Sequence, residues 1–139
     1  MILIDTNAIS ELWRPAPDAR VAVWFDAQAI ETLYLSAITV AELRFGIAAL
    51  PAGKRRTTLD DRLEREVLPL FEGRVLPLDL DASKTYAELM ARAKPAGQAI
   101  GKADGYIAAT AVARGLMVAT RDIGPFKAAG LSVINPWES

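Results

Sequence analysis

Short apolar runs recur along the chain and alternate with longer stretches whose apolar residues have helical spacing. The short runs predict β-strands, because β-branched and aromatic residues concentrate in them and turn or polar residues bound them. The predicted strands are residues 1–4, the first part of 32–39, a short extended segment within 74–80 (RVLPLDL), 116–120 (LMVAT) and 131–135 (LSVIN).

The longer stretches predict helices over residues 21–27, from Thr39 to Leu50, over 54–71, 81–93 and 103–114. The stretch 54–71 is charged and amphipathic, with Leu59, Leu63, Val67, Leu70 and Phe71 at helical spacing. It is the one candidate for a protruding element, although a solvated helix face is the more ordinary interpretation. Strands that alternate with helices favour right-handed crossovers and a parallel sheet covered on both faces, an α/β fold.

Local signals suggest where several of these helices begin and end. Thr39 precedes Glu42 by three residues, as in a capping box, and we expect Asp81 or Ser83 to begin the 81–93 helix. Pro95, Gly97 and Gly101 mark a loop, and Gly115 is a suitable residue to end the 103–114 helix.

Composition narrows the chemistry that the chain can perform. The 139 residues suit a single domain over 1–139, and they include no Cys and no His. Disulfides, thiolate zinc sites, Ser-His-Asp triads and imidazole catalysis are therefore excluded. Carboxylate and hydroxyl oxygens remain as metal ligands, and these favour Mg²⁺ or Mn²⁺ over Zn²⁺.

Charge and hydropathy bear on partners and location. The net charge of −1 gives no overall basic field, which counts mildly against a large non-specific nucleic-acid footprint. We find neither a signal peptide nor an apolar run of the roughly 18–20 residues that a membrane span needs, so a cytoplasmic location is expected.

Four acids follow predicted strands or begin predicted helices, where an open α/β sheet forms its sites: Asp5, Glu42, Asp104 and Asp122. Asp5 ends the first strand, and Glu42 is expected in the first helical turn after the second. Clustered carboxylates repel one another unless one is protonated or a cation is present. A divalent ion would resolve that conflict and could activate water for phosphodiester hydrolysis without His.

Each acid also has a structural alternative. Asp5 could cap a helix that begins near Ala8, Glu42 could complete the capping box with Thr39, Asp104 could favour a helix dipole, and Asp122 could be an ordinary turn residue. Thr6, Asn7 and Thr120 are short polar residues that could orient a carboxylate or a water on a metal, or could simply hydrogen-bond at turns and strand ends.

Four segments, in the same order along nearly the whole chain, resemble the PIN-domain toxins of bacterial toxin–antitoxin pairs. They are MILIDTNAISEL, LSAITVAELRFGI, ADGYIAATAVARGLMVATRDIGPF and VINPW, and they look most like the FitB-like branch of the VapC group. The resemblance implies a PIN-like three-layer α/β/α sandwich with a central, mostly parallel sheet, and a Mg²⁺- or Mn²⁺-dependent ribonuclease. It also implies a homodimer and a cognate antitoxin with a DNA-binding module, through which alone the protein would reach promoter DNA.

The resemblance assigns the acids individually. Asp5, Glu42 and Asp104 match the family's core acids, and Asp122 matches the more variable fourth acid; Thr120 and Asn7 match its Thr/Ser and its Asn. It implies that Asp5 and Asp104 hold the metal, with Glu42 and Asp122 doing so directly or through water. Many members read T-R-N-x-x-D-F in the last motif, whereas this chain reads TRDIGPF, which leaves the geometry of Asp122 open.

The leading hypothesis is metal-assisted hydrolysis of single-stranded or looped RNA, with Arg14, Arg44, Lys102 and Arg121 as candidate phosphate-binding cations or plain surface charges. The alternative of another class is a catalytically weak co-repressor that binds the antitoxin and acts through a DNA-binding complex. A haloacid-dehalogenase-like phosphatase is disfavoured, because Asn7 stands where that chemistry needs a second acid. A Rossmann nucleotide site lacks its Gly-rich turn.

Overall fold

The computed structural model describes residues 1–138 and has a central sheet of five parallel strands in the order β3-β2-β1-β4-β5. The strands are β1 (Ile2–Ile4), β2 (Leu33–Ser36), β3 (Val75–Leu76), β4 (Met117–Ala119) and β5 (Val133–Ile134). In the register, Ile4 pairs with Ala119, so the residues that follow β1 and β4 emerge side by side at the carboxyl edge. The prediction of a mostly parallel sheet is confirmed.

Helices connect and cover the strands. They are α1 (Thr6–Glu11), α2 (Ala19–Asp26), α3 (Ala37–Ala48), α4 (Lys54–Asp61), a π-helical segment (Arg62–Val67), α5 (Leu68–Leu70), α6 (Leu80–Ala93), α7 (Lys102–Arg114) and α8 (Ile123–Ala128). Single 3₁₀ turns lie at Ile30–Thr32 and Pro136–Glu138. Gly115 adopts a left-handed conformation (φ 67°) and ends α7 as predicted.

Side chains of β1 point alternately into two apolar layers, one on each face of the sheet. The first layer contains Ile2 and Ile4 and is built mainly from α2, α3 and the π-helical segment, with Trp24 and Trp137 buried in it. The second layer contains Leu3 and packs it against α6, α7 and α8. The result is the predicted three-layer α/β/α arrangement.

Helix beginnings differ from the sequence predictions at two places. Ser36, not Thr39, caps α3, and its hydroxyl accepts a hydrogen bond from the Ile38 amide. Glu42 consequently lies in the second turn of α3 and forms no capping box. Asp79, rather than Asp81 or Ser83, caps α6 and accepts from the Ala82 amide. In both cases the capping residue lies closer to the preceding strand than predicted, and the helix begins correspondingly earlier.

The charged stretch 54–71 forms a nearly continuous helix that packs along α3. Leu59, Leu63 and Phe71 are buried in the first apolar layer, and residues 54–58 are exposed, so the segment is an amphipathic cover rather than a projection. Leu70, which helical spacing placed on the apolar face, is instead 56% exposed. Within residues 1–138 no helix has the length and hydropathy needed to cross a membrane.

Candidate active site

Asp5 occupies the carboxyl edge of the sheet directly after β1. Its amide donates to the Ala119 carbonyl at 2.9 Å, which continues the pairing with β4 by one residue. This pairing brings the next residue of the neighbouring strand, Thr120, alongside, and the Thr120 hydroxyl donates to Asp5 Oδ2 at 2.8 Å. Asp5 Oδ1 accepts from the Thr6 amide at 2.8 Å, so Asp5 also caps α1. The helix-cap alternative is therefore correct, although the helix begins at Thr6 rather than near Ala8, and Asp5 also lies on the predicted rim.

Asn7 and Thr120 form a hydrogen-bonded network with the Asp5 carboxylate. The Asn7 side-chain amide donates to Asp5 Oδ2 at 3.4 Å and to the Thr120 hydroxyl at 3.3 Å. The Thr120 hydroxyl also accepts from the Asp122 amide at 3.1 Å, and Asn7 Oδ1 accepts from the Arg121 amide at 3.3 Å. These contacts join the segments that follow β1 and β4 and fix the orientation of the Asp5 carboxylate.

Glu42 reaches the same edge from α3. Its Oε1 accepts from the Thr6 hydroxyl at 2.6 Å, and that hydroxyl lies 3.3 Å from the buried hydroxyl of Thr39. Thr6 thus connects the two acids, because its amide donates to Asp5 and its hydroxyl donates to Glu42. The short α1 helix makes this possible, because it begins immediately after β1 and packs on α3.

Asp104 comes to the rim from a helix rather than from a strand. It lies in the first turn of α7, after the loop that follows α6. Since α7 leads directly into β4 and packs on the sheet, its first turn lies over the carboxyl ends of the strands. Asp122 follows β4 and precedes α8; it is exposed, and its side chain makes no capping hydrogen bond.

Electrostatics link the four acids. Burial raises the pKa of Asp5 to about 6, against hydrogen bonds from Thr120 and Thr6 that lower it, and the charges of Asp104 and Glu42 raise it further. Burial also raises the pKa of Asp104, and the charges of Asp122 and Glu42 add to that rise. Each acid is therefore close enough to at least one other to influence its ionisation.

The donor set fits a hard divalent cation. The rim offers carboxylate, hydroxyl and amide oxygens, and a cation would relieve the repulsion that adds to the effect of burial on the pKa values of Asp5 and Asp104. Within residues 1–138 no three acids converge tightly enough to hold an ion by themselves. Mg²⁺ commonly takes one or two carboxylates and completes its octahedron with waters, so the arrangement suits that mode of binding.

The four cations that the sequence suggested as phosphate ligands differ in the contacts they make in the structure. Arg44 forms two hydrogen bonds with Glu64 at 2.7 and 3.0 Å, and Arg121 packs over the Trp137 ring at 5.3 Å. Lys102 begins α7, and Arg14 remains 64% exposed, although its guanidinium lies 3.4 Å from Glu11. Trp13 and Arg55, which sequence patterns did not single out, lie in a groove beside Glu42.

The chain matches the sequence model of the PIN domain over residues 2–131. It belongs to the PIN-domain family. The resemblance to PIN-domain proteins that the sequence predicted is therefore confirmed.

Relatives of this PIN domain extend over its full length. VapC ribonuclease Y4jK of Sinorhizobium fredii is 72% identical over 138 residues, 99% of each chain. Toxin FitB of Neisseria gonorrhoeae is 55% identical over 137 residues, again 99% of each chain. A chain in the structure of FitAB bound to an IR36 DNA fragment superposes with a TM-score of 0.95 at 52% identity, over 99% of this chain and 96% of that one.

Proposed function

We propose that this PIN domain is the toxin of a type II toxin–antitoxin pair and an endoribonuclease that depends on Mg²⁺ or Mn²⁺. The observation that carries the proposal is the arrangement at the carboxyl edge of the sheet, where Thr6 joins Asp5 to Glu42 by hydrogen bonds and where Asp104 and Asp122 lie near enough to act on the neighbouring acids by charge. The family and the relatives named a ribonuclease and a toxin support the same assignment.

The proposed roles follow from how each side chain is held. Asp5 and Asp104 would hold the metal, and Glu42 and Asp122 would contribute directly or through water. Bound there, the metal would polarise the scissile phosphate and lower the pKa of the attacking water. Thr120 and Asn7 hold Oδ2 of Asp5, and Thr6 holds Oδ1 through its amide and Glu42 through its hydroxyl, so these residues would preserve the ligand geometry as substrate arrives.

The central test is Mg²⁺-dependent cleavage of RNA by the purified protein. Asp5→Asn retains an oxygen that can accept the Thr6 amide, so the variant should fold, yet it loses a charged ligand and should cleave at least about 100-fold more slowly. Asp26→Asn is the matched control, because Asp26 is exposed at the end of α2 and no charge effect links it to Asp5 or Asp104.

Cleavage of total RNA would be measured in Mg²⁺, in Mn²⁺ and in excess EDTA, and the cut ends would be mapped. We expect cleavage by the parent and by Asp26→Asn with either metal and none with EDTA. Asp5→Asn protein that is folded and cleaves RNA as fast as the parent would contradict the proposed role of the acids.

A partner-binding role is supported by the similarity to a chain in the structure of FitAB bound to a DNA fragment. We propose that this chain likewise binds a cognate antitoxin with a DNA-binding module, acts as a homodimer, and contacts promoter DNA only through that antitoxin. An RNA substrate would require it to act in the cytoplasm. If the free protein cleaves no RNA with either metal, yet its antitoxin complex binds promoter DNA, the weakly catalytic co-repressor becomes the better proposal.

A further inference from the structure

A groove leads away from the acids across the α1, α3 and α4 side of the molecule. Its inner section, of about 250 Å³, begins at Thr6 and Glu42 and extends to Trp13, Arg14 and Arg55. An outer section of about 410 Å³ shares Trp13 and Arg55 with the inner one and adds Lys54 and Arg62. The two sections adjoin at these shared residues, and together we call them the α4 groove.

The lining of the α4 groove is largely apolar, and its charged residues are mostly cations. Its cations are Arg14, Lys54, Arg55 and Arg62, and Glu42 is the only acid among the described residues that line it. Lys54, Arg55 and Arg62 form no ion pair within residues 1–138. A polyanion would therefore find these three cations unpaired with any described carboxylate, whereas Arg14 lies 3.4 Å from Glu11.

The neighbouring groove on the other side of α4 differs. Its cations, Arg44 and Arg56, are accompanied by Asp60 and Glu64, and Glu64 already binds Arg44 through both oxygens. Positive charge on α4 is thus balanced on one face and unbalanced on the face that leads to the acids. The two sides differ because Asp60 and Glu64 lie on one side of the helix, not because the helix as a whole is basic.

Trp13 supplies a flat apolar surface between these cations. Its side chain packs against the first apolar layer but remains partly exposed, whereas Trp24 and Trp137 are buried. An aromatic ring flanked by Arg and Lys is the combination that binds single-stranded nucleic acid, because unpaired bases stack on the ring while phosphates contact the cations. Bases paired in a duplex cannot stack in this way.

We propose that the α4 groove binds single-stranded RNA, with a base stacked on Trp13 and phosphates on Arg14, Arg55 and Arg62. The strand would then run past Glu42 and present a phosphodiester to the acids. This inference rests on the proposed ribonuclease function and adds the path of its substrate. An acidic antitoxin segment would also suit the cations, but the partly exposed indole in the groove that reaches Glu42 favours a nucleotide ligand.

The test measures binding of a short, labelled, single-stranded RNA of mixed sequence to the full chain in EDTA, so that cleavage does not destroy the probe. Arg55→Gln and Arg62→Gln should weaken binding, and each should reduce the slope of log K against log salt by about 0.7, the value for one phosphate contact on a single strand. Arg56→Gln removes the same charge from the other side of the same helix, and it should leave both quantities at the parent values.

Trp13 is tested by two substitutions, since the ring also packs on the core. Trp13→Leu should raise the Kd for RNA by about tenfold, and Trp13→Phe, which keeps an aromatic ring, by less. RNA should quench tryptophan emission of the parent but not of Trp13→Phe, because the remaining tryptophans are buried. Urea unfolding of each variant would establish that it is folded when its binding is measured.

The binding and cleavage measurements can fail separately. Asp5→Asn removes an acid from the rim and should bind RNA in EDTA at least as tightly as the parent. If groove variants bind differently as expected but the parent cleaves nothing with Mg²⁺ or Mn²⁺, the groove assignment stands and the catalytic proposal fails. The assignment is overturned if the parent binds no RNA or if Arg55→Gln binds RNA as Arg56→Gln does. It is also overturned if the groove variants bind RNA like the parent and lose only the binding of the antitoxin.

Discussion

At the scale of the residue, Asp5 shows what a sequence can and cannot predict about a site. Its place on the rim follows from the apolar run before it, and the meeting with Thr120 follows once β1 and β4 pair in parallel register. The hydrogen bond from Thr6 to Glu42 depends on how α1 packs on α3, which no local pattern specifies. Asp5 is also a helix cap, so its structural alternative and its proposed catalytic role are not exclusive.

Thr120 offers a prediction about Asp5 itself. Its buried hydroxyl donates to the Asp5 carboxylate, and this hydrogen bond favours the charged form and lowers the Asp5 pKa. Thr120→Val removes the donor without changing the shape of the side chain, so the pKa should rise further above about 6. An NMR titration of the Asp5 carboxyl carbon in metal-free protein measures this shift directly.

Thr120→Ser is the control, because it retains the hydroxyl and should titrate close to the parent. At pH values where Asp5 is ionised, Thr120→Val should also lower the free energy of unfolding by about 1–3 kcal/mol, since a buried carboxylate loses a hydrogen bond. An Asp5 pKa in Thr120→Val that equals or falls below the parent value would show that this hydroxyl does not stabilise the carboxylate.

At the scale of the element, the long periodic segments were predictable and the short ones were not. Helices α3, α6 and α7 and the segment from α4 to α5 were recognised from apolar spacing; the segment begins at Lys54 as predicted, and the three helices begin slightly earlier than predicted. Helices α1 and α8 have six residues each, fewer than two turns, so they present no periodic stripe. Both lie beside the acids, where tertiary contacts rather than helix propensity hold them.

The contact between α6 and α7 determines where the first turn of α7 carries Asp104. Gly105 makes this contact close: a Cβ atom there would lie 2.9 Å from Met90 Sδ and 3.0 Å from Tyr86 Cε2. The Tyr86 ring stacks on Tyr106 with centroids 4.5 Å apart, which limits its freedom to move away. Small size at position 105 is therefore a packing requirement of these two helices.

Gly105→Ala should lower the free energy of unfolding by about 1 kcal/mol or more, because overpacking outweighs the gain in helix propensity. Gly46→Ala is the matched control: the same change within α3 meets no atom within 4 Å, so it should stabilise by about 0.5–1 kcal/mol. Urea unfolding of both variants measures the contrast. Equal effects of the two substitutions would contradict the close packing of α6 on α7.

At the scale of the whole molecule, the parallel sheet joins two apolar layers that the sequence did not distinguish. Alternation along β1 sends Leu3 to one layer and its neighbours to the other, so neither layer is complete without the strand they share. All three tryptophans lie in or against the first layer. Their emission therefore reports on that layer alone, whereas far-UV circular dichroism reports on helices of both.

This distribution of tryptophans tests the prediction that residues 1–139 form one domain. Leu89 is buried in the second layer, and Leu89→Ala should lower the free energy of unfolding by about 2–4 kcal/mol. Because the layers share β1, the urea midpoint from tryptophan emission should fall as far as that from circular dichroism, although no tryptophan contacts the altered layer. Leu43→Ala, in the first layer, provides the reciprocal case. Coincident transitions in both variants are expected of a single cooperative unit, whereas a tryptophan transition unmoved by Leu89→Ala would mean that the layers unfold independently.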